Sequence, residues 1–384
     1  MSYYLKNFDE ILLEFTIGKT GLEERVTEIY YVNEEKKHLL PAGLELSVNG
    51  LTKWLQRRSI PKNRAFVHEI LAAYGLKQGD FKGIIDICKG LSVNDSYWIV
   101  DSEFKGSFQD YNLYDNSFSE ALALVAYTGY NTSIRELSTS PEFTTAGMLP
   151  KAWRRINGEI FLYKGGTRGF ANSGMEPYSE FYASQIAERM NLHHVSYGLE
   201  QWKGILASTC KLFSTKDVSY VPAGLIVKEG GMDAVIDFYR RLGEACFEEL
   251  ASMLVFDALI YNEDRHYGNF GLLRDSHTGE YIGCAPIFDN GYSLFATAMK
   301  SDLEKINAYA EERSYASCGI LHDELVKNLC GPRQQEQLRH MINFKFARHS
   351  QYNLPEERLV VLESFINQRV EELLKMPKKI MPSP

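Results

Sequence analysis

Apolar positions along the chain change period several times, and each change predicts a different element. Over residues 51–76, Trp54, Leu55, Phe66, Ile70, Leu71 and Tyr74 recur at near-helical spacing. Ser59-Ile60-Pro61 interrupts them, which predicts two short helices around a turn. Residues 116–127 repeat the helical period, with Ser117 or Ser119 near the start. The segment 138–145, STSPEFTT, is rich in hydroxyls and broken by Pro141, so it predicts a loop. Alternation then takes over in AGMLPKAWRRINGEIFLYKGG, residues 146–166. Two strands are predicted there, joined at Asn157-Gly158, the dipeptide that most favours a tight hairpin. The second strand covers 159–164 and a glycine-rich loop follows. Pro177 opens a helix over 178–190, as proline does in a first turn. Two more strands are expected near 205–213 and 220–227, linked by 214–219. From Met232 the period is helical to the end, apart from one hairpin. The last helix, 355–375, sets Leu359, Leu362, Ile366, Val370 and Leu373 on one face.

These elements predict an α+β, two-lobed chain: a small β-rich lobe with one helix, then a larger helical lobe, with a cleft between them. The expected boundaries are a mainly helical N-terminal accessory region over 1–135, the small lobe over 136–230 and the helical lobe over 231–384. A length of 384 residues suffices for two or three cores. Hydrophobic residues at 45% and charged residues at 24% are ordinary globular values and exclude a disordered or collagen-like chain. The net charge of −8 gives no overall field for nucleic acid. Locally, Lys53, Arg57, Arg58, Lys62 and Arg64 cluster. A DNA-binding helix-turn-helix is one reading of that stretch, but nothing marks a recognition helix. A helical subdomain with a solvated basic face is expected instead, without direct nucleic-acid binding.

Six cysteines, Cys88, Cys210, Cys246, Cys284, Cys318 and Cys330, stand far apart with no CxxC pair, as reduced thiols do. The N-terminal FDEILLEF is broken by acids, unlike a secretory signal. The longest apolar runs, such as 121–127, fall far short of the ~20 residues of a membrane helix. The expectation is a soluble cytoplasmic protein without membrane contact.

The chemistry concentrates in 257–291, DALIYNEDRHYGNFGLLRDSHTGEYIGCAPIFDNG. Asp264 and Asn269 stand five apart, the spacing of a phosphotransferase catalytic loop. One carboxylate accepts the proton of the attacking hydroxyl while an amide oxygen holds magnesium beside it. Alone, such a pair arises by chance in a chain this long. Here a strand over 270–274, a turn over 276–279 and a returning strand over 281–288 follow. Arms of about eight residues carry the chain roughly 25 Å out and back, delivering Asp289 beside Asn269 as a second magnesium ligand. Gly291 leaves the backbone free to turn after it. The bland alternative makes Asp264 and Asp289 turn or cap residues flanking a plain hairpin, and the complete run of loop, hairpin and Asp-x-Gly outweighs it.

N-E-D-R-H-x-G-N-F with I-F-D-N-G downstream resembles the HipA family of bacterial serine/threonine kinases. The run from Ala146 to Lys151 resembles that family's glycine-proline-lysine loop over the ATP phosphates. The motifs cover roughly residues 144–291, and D-R-H-x-x-N also resembles the phosphoinositide kinases. The resemblance implies a protein-kinase-like fold using ATP and Mg2+, with Asp264 as catalytic base and Asn269 and Asp289 as metal ligands. Gly147 and Lys151 then belong to the phosphate loop. Lys164 grips the α- and β-phosphates, partnered by Glu180 or alternatively Glu176. Phe213-Ser214 lies where adenine meets the backbone. It further implies a protein substrate, a small DNA-binding antitoxin as partner, a toxin's role, and autophosphorylation of Thr144 or Thr145. His266 is expected to support the loop by hydrogen bonding. Arg265 contacts a phosphate or braces the loop. His193-His194 is expected as a helix cap. A lipid or small-molecule kinase, and a nucleotide-binding pseudokinase or interaction module, are the alternatives.

Overall fold

In a computed structural model, residues 2–20, 23–130, 132–134, 139–169 and 172–377 are described. Ser138 and position 135, the expected end of the N-terminal region, lie outside them. The strands are β1 (Ser2–Asn7), β2 (Glu10–Thr20), β3 (Glu23–Val32), β4 (Tyr97–Asp101), β5 (Lys151–Ile156), β6 (Glu159–Gly165), β7 (Tyr197–Trp202), β8 (Ile205–Lys211), β9 (Val218–Pro222), β10 (Gly271–Asp275) and β11 (Tyr281–Cys284). The chain divides into two compact units. The first comprises Met1–Lys164, Lys211–Val221 and Leu272–Ile282; the second comprises Gly165–Cys210, Pro222–Gly271 and Gly283–Pro384.

In the first unit, β1 buries Tyr3, Leu5 and Asn7 and turns Tyr4 and Lys6 outward, the two-residue period of a half-buried strand. It pairs antiparallel with β2 and β4 in a four-stranded sheet of order β3-β2-β1-β4. The expected mainly helical N-terminal region is therefore corrected to a mixed one. Its strand signal is masked for a physical reason. Leu5 pairs with Leu13 and Lys6 with Ile11, so Leu12 is the extra residue of a bulge. Leu12 and Leu13 are both buried, which breaks the alternation. Helices do pack on this sheet: Leu51, Trp54 and Leu55 of helix Val48–Gln56 share its core. Helix Glu120–Thr128 forms as expected, with Ser119 as its N-cap.

Lys53, Arg57 and Lys62 of the basic stretch are exposed, as expected of a solvated face, but Arg58 and Arg64 are buried. Arg58 turns inward onto Asp95 and lies 4.4 Å from the Trp54 ring. Arg64 forms a fully buried ion pair with Glu142 and donates to the carbonyls of Thr145 (2.7 Å) and Lys151 (3.2 Å). Removing one partner of such a pair costs about 3–5 kcal/mol, because the other charge is left buried alone. The hairpin at Asn157-Gly158 joins β5 and β6, both turn residues having positive φ (53° and 84°).

The hairpin after the candidate catalytic loop is shorter than expected: β10 has five residues and β11 four, in a sheet of order β11-β10-β9. It is fastened within the first unit. Arg274 donates to the carbonyls of Gly279, Leu40 and His38 and to the Tyr97 hydroxyl. The Ser276 carbonyl accepts from Asn7 at 2.7 Å.

In the second unit, helix Glu176–Arg189 starts with Pro177 in its first turn. Helix Glu244–Ile260 is buried on every side from Leu250 onward, which makes it the central helix of this unit. The last helix, Glu356–Lys375, buries the five apolar residues expected of it. Strand β7, which the sequence pattern did not announce, pairs with β8 through a turn at Lys203-Gly204 (φ 53° and 77°). The strand expected over 220–227 is β9, followed by a helical turn Ala223–Ile226. All six cysteines are free. No helix among the described residues is long and apolar enough to cross a membrane.

His322 opens helix His322–Leu329 at 1% exposure, and neither ring nitrogen has a hydrogen-bond partner. Burial holds it neutral, lowering its pKa to about 4. Below the ordinary histidine pKa the unfolded chain takes up a proton that the folded chain refuses, so acid removes stability from there down to the folded value. Roughly 2 kcal/mol of the stability held at neutral pH is expected to be gone near pH 5 from this residue. Denaturant unfolding at the two pH values should show a smaller loss for His322→Phe; an equal loss would contradict the assignment.

Candidate active site

The central helix ends at Tyr261, whose positive φ of 51° turns the chain into the loop bearing Asp264. Asn262, fully buried, donates its amide to Asp257 at 3.0 Å and accepts the Asp264 N–H at 3.1 Å. The backbone of the expected base is thus tied to the helix before it. Asn269 donates its side-chain nitrogen to the Asp264 carbonyl at 3.0 Å. With the nitrogen so used, the amide oxygen is the atom left for a cation. His266 accepts the Gly268 N–H at 3.0 Å, which agrees with its expected role as loop support.

Arg265 settles the choice left open for it: the side chain is 3% exposed and braces the loop. Its Nε and one Nη donate to Asp257 at 2.9 and 3.0 Å. The others reach the carbonyls of Asn269 (3.0 Å) and Phe288 (2.5 Å) and the Asn290 side chain (2.5 Å). All five guanidinium N–H donors are engaged. Burial alone would lower the Arg265 pKa, but the bonded Asp257, with Asp289 and Glu180 further off, holds it above its ordinary value. One cation therefore fastens the Asn269 end of the loop to both neighbours of Asp289.

Asp289 is also fixed from behind. Ile287 bridges in parallel with His194, exchanging backbone bonds with His193 and Val195 at 2.9 Å. His193-His194 thus supports this segment rather than capping the helix, which ends at Arg189. The Tyr197 hydroxyl accepts the Asp289 N–H at 3.1 Å. Burial first, and then the nearby Glu180, Cys210 and Asp289, keep that phenol far above its ordinary pKa and so protonated. The sharp turn expected at Gly291 falls on Asp289 itself, with φ 56°. Glu180, fully buried, accepts the Asn290 N–H at 2.7 Å. Glu176, the alternative, accepts the Thr167 N–H at 3.1 Å.

The other candidates lie in the first unit. Lys151 begins β5 and donates to the Ala146 carbonyl at 2.8 Å, which closes the phosphate-loop candidate. Gly147 has φ 100°, a left-handed conformation that favours glycine, and it lies against the Lys151 ammonium. Lys164 lies opposite Lys151 in the hairpin and is 6% exposed. Phe213 packs edge-on against Tyr220, and Ser214 donates to the Val93 carbonyl. Thr144 donates to Leu91 at 2.9 Å and Thr145 to Pro141 at 2.7 Å.

The structure thus brings Asp264, Asn269, Asp289 and Glu180 into one bonded set in the second unit, and Gly147 and Lys151 into another in the first. Sequence reasoning missed Asp257, Asn262, Tyr197 and Asn290, which hold the first set. Asn262, inside the N-E-D-R-H run, and Asn290, inside the I-F-D-N-G run, carried a local signal. Asp264, Asn269 and Asp289 offer hard oxygen donors of the kind magnesium prefers. Among the described residues, no group of three or more His, Cys, Asp or Glu side chains could hold a metal. A cation here would need further oxygens from a ligand, which is the usual arrangement where magnesium is shared with phosphates.

A loop with an aspartate and an amide at this spacing, followed by a hairpin and a returning aspartate, is the arrangement expected of a phosphotransferase from the sequence. No family model matches the chain. It is 29% identical over 154 residues to the serine/threonine-protein kinase CtkA of Helicobacter pylori, a match covering 34% of this chain and 46% of that protein. The chain spans about half the length of this curated relative. The crystal structure of CtkA aligns at a TM-score of 0.43 and 18% identity, over 59% of this chain and 90% of that one. The HipA of Shewanella oneidensis MR-1, solved with HipB and its operator DNA, aligns at 0.57 and 10% identity, over 96% and 97% of the two chains. The chain is thus similar in fold, over nearly its whole length, to a HipA and, over part of it, in sequence to a serine/threonine kinase. The resemblance to HipA-like kinases is borne out.

Proposed function

We propose that this chain is a two-lobed HipA-like kinase that transfers the γ-phosphoryl group of ATP to a serine or threonine hydroxyl of a protein. The observation that carries the reading is the single guanidinium of Arg265, which binds the Asp264–Asn269 loop to the Asp289 turn. Such a brace is what a site working by positioning requires. Bound ATP and magnesium would supply the transferable group and the positive charge that steadies it. Asp264, on a backbone fixed by Asn262, accepts the proton of the attacking hydroxyl. The oxygens of Asn269 and Asp289 hold the metal. Lys164 holds the α- and β-phosphates with Glu180, or alternatively Glu176, as its carboxylate partner, under the loop of Gly147 and Lys151. Phe213-Ser214 receives adenine. In this division residues 136–230 form the small lobe, 231–384 the helical lobe and 1–135 the accessory region.

The whole-chain likeness to a HipA solved with HipB and DNA supports a small DNA-binding protein as partner, and a toxin's role within such a pair. Cytoplasmic localisation follows from the same reading. Thr144 and Thr145 are the proposed sites of self-modification. Their hydroxyls are bonded to backbone carbonyls, so phosphate on either would break the loop's seat.

Transfer of labelled γ-phosphate from ATP with magnesium tests the function. Native protein is expected to label itself or a generic protein acceptor, with Asp264→Asn and Asp289→Asn each reduced by roughly a hundredfold or more. ATP binding without labelling by native protein would put a pseudokinase in its place. Mass spectrometry of the incubated native protein should find phosphate within residues 138–145; an unmodified segment would end the Thr144/Thr145 proposal.

A further inference from the structure

Behind the candidate catalytic loop, within the second unit, lies a cleft of about 410 Å³. It has the volume of a small-molecule site. We propose that this cleft, walled by Tyr261, Glu311, His322 and Arg369, binds a small organic cation bearing an amine or guanidinium group.

Charge carries the first part of the argument. Three carboxylates, Glu311, Asp323 and Glu372, face the cleft with one cation, Arg369. Arg369 is already taken by Asp323 at 2.5 Å, Glu372 at 3.4 Å and the Ala258 carbonyl at 3.4 Å. Glu311 has no ion pair among the described residues. The lining is therefore net negative, with one carboxylate uncommitted.

The second part is independent of the first. His322 lines the cleft while 1% exposed, and both of its ring nitrogens lack a partner. Leaving a buried polar group unsatisfied costs about 1–3 kcal/mol, so the site holds hydrogen-bonding capacity that the chain itself does not use. Held neutral by burial, the imidazole offers one lone pair and one N–H. An N–H of a bound cation can fill the lone pair while a second reaches Glu311. An anion would meet surplus carboxylate and an uncharged ring. Tyr261 and Phe365 add apolar wall, the Tyr261 ring already carrying the Arg369 guanidinium at 5.2 Å.

The cleft also touches the machinery described above. Tyr261 is the residue that turns the central helix into the Asp264 loop, and its ring lies 5.4 Å from that of His322. Any effect of occupancy on transfer rests on the proposed kinase reading, but binding does not.

Calorimetric titration of the full chain with agmatine and with spermidine tests the proposal, with glutamate as the anionic control. The expected result is one saturable site for at least one of the two cations and none for glutamate. Its affinity should be about tenfold lower in Glu311→Gln and in His322→Phe, the loss of one charge-assisted hydrogen bond. Glu311 is exposed on a helix, so Glu311→Gln decides the matter alone if the histidine variant fails to fold. No saturable binding of either cation, tighter binding of glutamate, or unchanged affinity in either folded variant would overturn the proposal. The readout needs no phosphoryl transfer, so its failure leaves the proposed activity standing.

Discussion

The arrangement of the candidate site depends on one buried cation. Arg265 spends all five donors, two on Asp257 of the central helix, one on the Asn269 carbonyl and two on the residues flanking Asp289. A buried ion pair of this kind adds little net stability, since desolvating both charges offsets their attraction. What it contributes is geometry. Its planar fork can satisfy acceptors from three segments only when all three stand in register. The loop, the turn and the helix then take one arrangement, and misplacing any of them strands a buried charge.

Around that fork the supports are redundant in a useful way. Asn262 relays Asp257 to the Asp264 backbone, and the bridge between His194 and Ile287 holds the approach to Asp289. Tyr197 and Glu180 take the backbone N–H groups of Asp289 and Asn290. Asp289 adopts a positive φ, an unusual conformation for an aspartate, and each neighbouring bond helps to keep it there. Asp264 and Asp289 therefore sit on a backbone determined from several sides, which suits the proposed chemistry, one that depends on positioning rather than on covalent intermediates.

How much of this could be read from the sequence follows from the range of the interactions. That the Asp264–Asn269 loop and the Asp289 turn come together was legible because the loop and the hairpin lie in one continuous stretch. The Asn157-Gly158 hairpin and the Pro177 helix were legible for the same local reason. The brace was not, because Arg265 meets Asn290 across 25 positions and no periodicity reports such a pairing. The N-terminal sheet was hidden by the Leu12 bulge and by the pairing of β1 with a strand some ninety residues on. The basic stretch misled at two of its five positions. Composition gives the charge of Arg58 and Arg64, but only tertiary packing shows that both are turned inward onto Asp95 and Glu142.

The central claim, that the Arg265 fork assembles a phosphoryl-transfer site, is tested most directly by Arg265→Lys. Lysine keeps the charge beside Asp257 but cannot span the loop and the turn together. With folding checked by circular dichroism, the variant should remain folded and transfer γ-phosphate from ATP about a hundredfold more slowly than the native protein. A folded variant that transfers at the native rate would contradict the account.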